Sequence, residues 1–239
     1  MKLCDVTLAT PEENLACDEA LLDFCEAGRG GALLRFWEPA HYFVVLGYAN
    51  KAAAEVNLPF CAANRIPVLR RCTGGGAVLQ GPGVLNYSLF LRHDNAGPCR
   101  SIAITNHFIL DRHCAALTPL LSAPLRRQGQ TDLTLGDLKC SGNAQRRQRR
   151  FLIFHGSFLL NLDFELVTRV LPLPSRQPDY RTGRSHADFL LNLKLPADAL
   201  KLALRNAWKA NETLPQIPSD QIARLVAGKY RRGEWNFRF

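Results

Sequence analysis

Long apolar runs, paired cysteines and a basic, hydrophobic leader are all missing from this 239-residue chain, and each absence removes a class of protein. No uninterrupted apolar stretch approaches the ~18 residues that a membrane-spanning helix requires. The nearest candidate, Phe151 to Leu162, is broken by His155, Gly156, Ser157 and Asn161. The chain starts with only Lys2 ahead of Asp5 and no extended apolar segment, which is not the build of a secretory signal, so a cytoplasmic location is expected. Eight cysteines occur (Cys4, Cys17, Cys25, Cys61, Cys72, Cys99, Cys114 and Cys140), but none forms a C-x-x-C pair. They read as reduced, mostly buried small hydrophobes, not as a disulfide framework or zinc ligands.

What is present is an ordinary globular composition with 47% hydrophobic residues, enough for one large domain or one domain with a small extension. Thirty Lys and Arg against 21 Asp and Glu leave a formal charge of +9, which attracts anionic partners: nucleic acid, nucleotide phosphates or an acidic protein surface. Charge alone does not choose among them.

Local patterns give the elements. Thr10-Pro11-Glu12-Glu13 predicts a capped helix start and Gly28 a stop, with Cys17, Ala20, Leu21, Phe24 and Cys25 at helical spacing and Asp18, Glu19 and Asp23 on other faces. Short strands are expected at Leu33 to Trp37, Tyr42 to Leu46 and Pro67 to Arg70, with a helical turn at Ala52 to Val56. Ala77 to Leu79 and Leu85 to Leu91 read as two arms of a hairpin across Gly81-Pro82-Gly83. Ile102 to Leu121 should be helical, and Thr131 to Leu135 and Leu138 to Cys140 should pair across Gly136-Asp137. Along Phe151 to Asn161, alternation places Ile153, His155, Ser157 and Leu159 on one face and Leu152, Phe154, Gly156, Phe158 and Leu160 on the other. A helix starts near Asp163, Pro172 to Gly183 is loop-like, and Ala197 to Ala210 and Asp220 to Lys229 form closing helices. The mixture predicts an α+β fold on a largely antiparallel or mixed β-sheet flanked by helices, one domain over residues 1–239 with a short helical extension from about 197 to 239.

Three segments could carry chemistry. Arg70-Arg71-Cys72-Thr73-Gly74-Gly75-Gly76-Ala77-Val78 runs a basic pair into three residues that let backbone N–H groups approach an anion closely. It is neither a Walker loop nor a dinucleotide fingerprint. Lys139, in Lys139-Cys140-Ser141-Gly142-Asn143-Ala144-Gln145, can reach a phosphate or a developing oxyanion, and Asp132 could help hold magnesium. The third is His155-Gly156-Ser157 within an apolar strand.

Together, with Asn86-Tyr87-Ser88, the opening Glu13 to Leu22 and the strand Leu34-Arg35-Phe36-Trp37, these segments resemble the lipoate branch of the biotin/lipoate protein ligase catalytic domain, over roughly residues 5 to 195. The resemblance implies an ATP-dependent, two-step reaction. A carboxylic acid such as lipoate attacks the α-phosphate of ATP to give an acyl-adenylate, and a lysine of a lipoyl-carrier protein domain then takes the acyl group. Carried over position by position, Lys139 contacts the mixed anhydride, Arg70 guards the acid-binding mouth, and Gly74, Gly75 and Gly76 flank the acyl chain. Val78, Leu79, Asn86, Ala144 and Ser157 serve the nucleotide, His155 and Gly156 line the opposite acyl wall, and Asp132 is the candidate for Mg2+. Gln80 stands where the family usually has His, and the residues after Leu195 are too few for a large accessory domain, so either one compact domain suffices or a helper protein assists adenylation.

The cluster Arg146-Arg147-Gln148-Arg149-Arg150 is expected in a loop, either solvated or holding triphosphate or an acidic acceptor. Two rival functions are an octanoyl or lipoyl transferase working through a cysteine thioester, which needs an activated thiol, and a non-catalytic binding module. Nucleic acid is a poor match because no aromatics interleave with the arginines.

Overall fold

The computed structural model describes residues 1–94 and 96–239. The first helix, α1 (Pro11–Glu26), begins as the sequence dictates: Thr10 accepts from the Glu13 amide and Glu13 reaches back to the Thr10 amide, while Gly28 follows the helix at φ +80°. Two further helices of three turns or more follow, α2 (Ile102–Leu117) and α3 (Ala197–Trp208).

The strands are β1 (Lys2–Asp5), β2 (Leu33–Trp37), β3 (Phe43–Leu46), β4 (Val68–Arg70), β5 (Val78–Gln80), β6 (Val84–Arg92), β7 (Leu125–Gln128), β8 (Asp132–Leu135), β9 (Leu138–Arg147), β10 (Phe151–Leu159) and β11 (Glu212–Thr213). Eight of them form one mixed sheet in the order β11-β1-β2-β6-β10-β9-β8-β7, parallel at β11, β1 and β2 and antiparallel beyond. The other three form a small sheet, β4-β3-β5.

Two expectations are corrected. β5 and β6 do not pair as a hairpin: β5 joins β3 in the small sheet and β6 lies between β2 and β10 in the large one. The intervening turn is pinned elsewhere, since Leu160 and Asn161 both donate their amides to the Gly83 carbonyl and a Cβ on Gly83 would meet the Asn161 carbonyl oxygen at 2.3 Å. The turn therefore crosses from one sheet to the other. The arginine cluster, in turn, is not one loop, because β9 runs on through Arg146 and Arg147 and only residues 148–150 make the turn.

Alternation divides the large sheet. On the rear face Leu34, Phe36, Leu85, Tyr87, Leu89, Leu152, Phe154 and Phe158 pack under Ile109 and Leu110 of α2 and Leu200, Leu204 and Trp208 of α3. On the front face Leu33, Trp37, Phe90 and Ile153 meet α1, the small sheet through Phe43, Val45 and Leu69, and Ile222, Val226 and Tyr230 near the C-terminus. Polar residues share that front face. Among the described residues no helix is long and apolar enough to cross a membrane.

Candidate active site

A β-bulge sets the lysine. Between Leu133 and Thr134 the β8–β9 register slips, so that Ser141 faces Leu133 while Lys139 faces Thr134. The extra residue, Cys140, turns into the rear core and its thiol donates to the Leu133 carbonyl. Lys139 is thereby turned to the front, its Nζ 3.0 Å from where a Cβ on Gly142 would stand, so the missing side chain at 142 leaves the lysine room to lie over β9. There Nζ pairs with Asp132 Oδ1 at 2.8 Å, and Tyr180 donates its hydroxyl to Asp132 Oδ2 at 2.8 Å. Tyr180 comes from the loop-like segment and had no sequence signal.

The glycine run is held by one arginine. Arg71 donates Nε to Thr73 Oγ1 and to the Gly74 carbonyl, Nη2 to the Gly74 and Gly76 carbonyls, and Nη1 to the Val45 carbonyl. Its guanidinium is buried and all these partners are neutral; burial pushes its pKa down to about 10. A cation sealed beneath the loop without a carboxylate leaves local positive potential for an anion to meet. Gly75, at φ +93°, could not be replaced: a Cβ would meet Arg71 Nη2 at 2.7 Å, and Ala144 of β9 lies just beyond at 3.8 Å. The loop thus stands over β9.

Arg70, expected at the acid-binding mouth, is fully buried and committed elsewhere. It donates to the carbonyls of Gly47, Tyr48 and Asn50 and to those of Trp235 and Asn236 near the C-terminus. Arg71 is the member of the pair that shapes the loop.

The remaining front residues fall into two networks. His155 Nε2 lies 2.7 Å from Thr73 Oγ1 and its Nδ1 3.1 Å from Asp18 Oδ2. Asp18 also binds Arg35 Nη1 at 2.6 Å and accepts from Ser88 Oγ at 2.8 Å. Burial works against the Asp18 carboxylate, but Arg35 and His155 outweigh it and hold its pKa below the ordinary value. In the second network Gln80 and Asn86 exchange amide hydrogen bonds at 2.9 and 2.8 Å, and Ser157 donates to Asn86 and accepts from Gln80. Gln80 therefore ties β5 to β6 and β10 with neutral groups. β5, which carries Val78 and Leu79, is an edge strand of the small sheet, with one backbone edge outside the ladder. Gly156 belongs to the rear face, where the missing Cβ leaves room for Asn143 Oδ1.

The structure thus brings Lys139, Asp132, Ala144, Ser157, Asn86 and His155 onto one face, beside the loop of Gly74, Gly75 and Gly76. It adds Asp18, Arg35, Arg71, Thr73, Gln80 and Tyr180. Asn14 and Asp18 at i, i+4 on α1, with Arg35 inside the apolar run Leu-Leu-Arg-Phe-Trp, were the signal for a buried ionic cluster. Among the described residues Asp132 is the acidic side chain paired with the lysine, and no group of three or more His, Cys, Asp or Glu could hold a metal.

The model of the lipoyl protein ligase A/B catalytic domain matches residues 10–197. The chain belongs to this family. Among its relatives is the octanoyltransferase LipM of Brevibacillus brevis, 26% identical with 96% of this chain and 95% of that protein covered. A bipartite lipoate protein ligase of Thermoplasma acidophilum, from a structural study of that ligase and its E2 lipoyl domain, shares the fold at TM-score 0.82 with 24% identity, over 99% of this chain and 96% of that one. A lipoate-protein ligase A solved with ATP matches at TM-score 0.78 and 25% identity over 99% of both chains. This is an enzyme family of lipoate ligases and octanoyltransferases, and the α+β fold with its mixed sheet is that of the ligase catalytic domain.

Proposed function

We propose that the protein is an ATP-dependent ligase that activates lipoate or a similar medium-chain acid as its acyl-adenylate and passes the acyl group to a lysine of a lipoyl-carrier domain. The observation that carries this reading over the transferase is the state of the thiols. All eight cysteines have raised pKa values, chiefly through burial: Cys72 and Cys114 are pushed up to about 11 and Cys17, Cys25 and Cys140 to about 12. A transferase nucleophile needs the opposite shift. The similarity to the ligase solved with ATP supports the same reading.

In the reaction the carboxylate is drawn to the positive potential of the Arg71 loop, between Gly74–Gly76 and the Ala144 strand. Lys139 leaves Asp132 for the negative oxygens that develop as the anhydride forms and breaks. The edge of β5 at Val78 and Leu79 offers backbone groups to the adenine. Asp132, freed from Lys139, fits Mg2+ as the single carboxylate that joins triphosphate oxygens and water in such sites; the ion would neutralise phosphate charge. The acceptor is a lipoyl domain, and a helper protein could stand in for an accessory domain, as the bipartite form of the Thermoplasma neighbour suggests.

The test follows pyrophosphate release with lipoate or octanoate and the mass of a lipoyl domain. Acid-dependent pyrophosphate release, with substantial activity in Cys140→Ser and no acyl adduct on the protein, supports the ligase. ATP-independent transfer from an octanoyl thioester with an adduct on Cys140 overturns it in favour of the transferase, the reading that the LipM relative supports.

A further inference from the structure

A lysine at physiological pH is an ammonium ion without a lone pair, so an acyl transfer to it needs a base in the site whichever activated acyl group is the donor. Lys139 is itself a cation, and Asp132, which still accepts from Tyr180 when Lys139 turns to the anhydride, is the carboxylate assigned above to Mg2+. We propose that His155, backed by Asp18 and extended by the Thr73 hydroxyl, is the base that removes a proton from the acceptor lysine. The proposal rests on the acyl-transfer reading above and holds for an adenylate or a thioester donor.

The hydrogen bonds assign their own direction. Asp18 is an ionised carboxylate, fixed by Arg35 and Ser88, and can only accept, so Nδ1 of His155 must carry the hydrogen that spans the 3.1 Å between them. In the neutral ring, the form in which a base must start, Nε2 is then the acceptor, and the Thr73 hydroxyl donates to it over 2.7 Å. Arg71 Nε donates to the same Thr73 oxygen at 3.0 Å, so a lone pair of that oxygen serves the guanidinium and its hydrogen is left for the ring. Hydroxyl, imidazole and carboxylate in series form the arrangement by which a side chain takes up a proton and keeps the resulting imidazolium paired. The charged groups around it are Asp18 and Glu19 from α1, Arg35 from β2, Arg71 beside the loop, Arg146 two residues beyond Ala144 on β9, and Lys229 from the C-terminal segment, the last two bound to Glu19.

Position favours the role as well. Lys139 Nζ sits at Gly142, which faces Ser157, and His155 lies two residues from Ser157 on the same face of β10, one strand repeat of roughly 7 Å further along. The two groups therefore front the same stretch of β10. His155 is the member of the series that reaches solvent, its side chain 14% exposed, while Thr73 is 1% exposed and is reached past the three exposed residues without side chains that follow it.

In the step, one ammonium proton passes to the Thr73 oxygen while the Thr73 hydrogen moves to His155 Nε2. The freed nitrogen pair forms the C–N bond. The C–O bond to the phosphate, or the C–S bond of a thioester, breaks with its electron pair leaving on AMP or the thiol. The second proton lost on the way to the amide goes to the leaving group or to water, and His155 returns its own proton to solvent.

The experiment compares two nucleophiles on one donor. Preformed lipoyl-adenylate is offered with a lipoyl domain, whose lysine needs deprotonation, or with hydroxylamine, which is already neutral at neutral pH. The readout is the ratio of the two enzyme-dependent rates, in which changes in donor binding cancel. The ratio should fall by about 100-fold in His155→Gln and in Thr73→Val, and Thr73→Ser should restore it. Asp18→Asn leaves Arg35 unpaired in the core, so the two other sites carry the test if that variant does not fold. Folded His155→Gln and Thr73→Val proteins with an unchanged ratio overturn the relay while leaving the functional reading intact. Wild-type protein that transfers to a lysine from neither lipoyl-adenylate nor an octanoyl thioester overturns both.

Discussion

Strand β10 carries Leu152, Phe154 and Phe158 toward one side and Ile153, His155 and Ser157 toward the other, and the two sets meet different kinds of neighbour. Behind the sheet, two long helices close over aromatic and aliphatic side chains, and the polar exceptions are neutral: Tyr87 donates to Asn143, and Trp208 Nε1 donates to His113 at 3.0 Å. In front, the cover is α1, a three-stranded sheet and the glycine run, and the interior holds Asp18, Arg35, Arg71 and Glu19. Burying those charges costs free energy that apolar residues of similar volume would not cost, and the arrangement is stable because each has partners. The rear face is where the sheet gains stability; the front face exchanges some of it for fixed dipoles and charges, which is where a reaction with charged intermediates can be stabilised.

That division can be broken from either side. Phe154→Ala, at a fully buried rear position, should lower stability by about 3–5 kcal/mol, seen in denaturant unfolding, while acyl transfer per folded molecule stays close to normal. Lys139→Ala should do the reverse. Removing the charge that meets the developing oxyanion costs roughly 3 kcal/mol or more in the transition state, a loss of at least about 100-fold, with the melting temperature little changed because Lys139 is a partly exposed partner of a single carboxylate. Activity of a folded Lys139→Ala near the wild-type level, read by mass shift of a lipoyl domain, would remove the lysine from the site.

The same contrast appears in pH dependence. His113 is buried behind the sheet without a carboxylate, and burial pushes its pKa from 6.5 down to about 3. The unfolded chain therefore binds a proton that the folded one refuses, so stability falls as pH drops below about 6.5, by up to about 1.4 kcal/mol per unit until pH nears the folded value. The front carboxylates work in a lower window. Asp18 and Glu19 have depressed pKa values, so their stabilisation is present above the unfolded carboxylate pKa and is lost only as pH falls through the folded one. Between pH 6.5 and 4.5 the decline should belong to the buried histidines, to His113 first and also to His186, whose pKa burial lowers as well, and His113→Gln should flatten most of it. An unflattened slope in a folded variant would assign the loss to another group.

What was legible was local. Alternation along β10, the capping box of α1 and the Gly136-Asp137 turn are local signals, and the structure carries each of them out. The hairpin from Ala77 to Leu91 failed because both arms look like strands and nothing local says that they serve different sheets; the pin is Gly83 against Asn161, nearly 80 residues away. At the site, Lys139 and the glycine run announced themselves by residue type. The bulge that turns Lys139 to the front did not, nor did the fates of Arg70 and Arg71, which are adjacent and alike in sequence but differ in which carbonyls surround them.

The smallest effect is expected at the arginine cluster, where the structure separates residues that the sequence presents as a group. Arg146 is bound to Glu19, Arg147 to the Cys99 carbonyl and Thr105, and Arg150 to Glu26. Arg149 and Arg150 are both exposed at the turn, and of the four arginines Arg149 is the one whose side chain makes no hydrogen bond or ion pair among the described residues. Replacing all four would therefore cut internal ties on α1 and α2, and a loss of activity would report partly on the fold. Arg149→Gln isolates the surface charge. If this turn helps draw in an acidic acceptor, transfer to a lipoyl domain should slow by no more than about threefold at low salt and by less as salt screens the attraction, because such charges act mainly on encounter. Pyrophosphate release should not change. A slowing that persists at high salt would point to a direct contact in place of steering, and identical salt profiles for Arg149→Gln and wild type would leave the turn as a solvated surface.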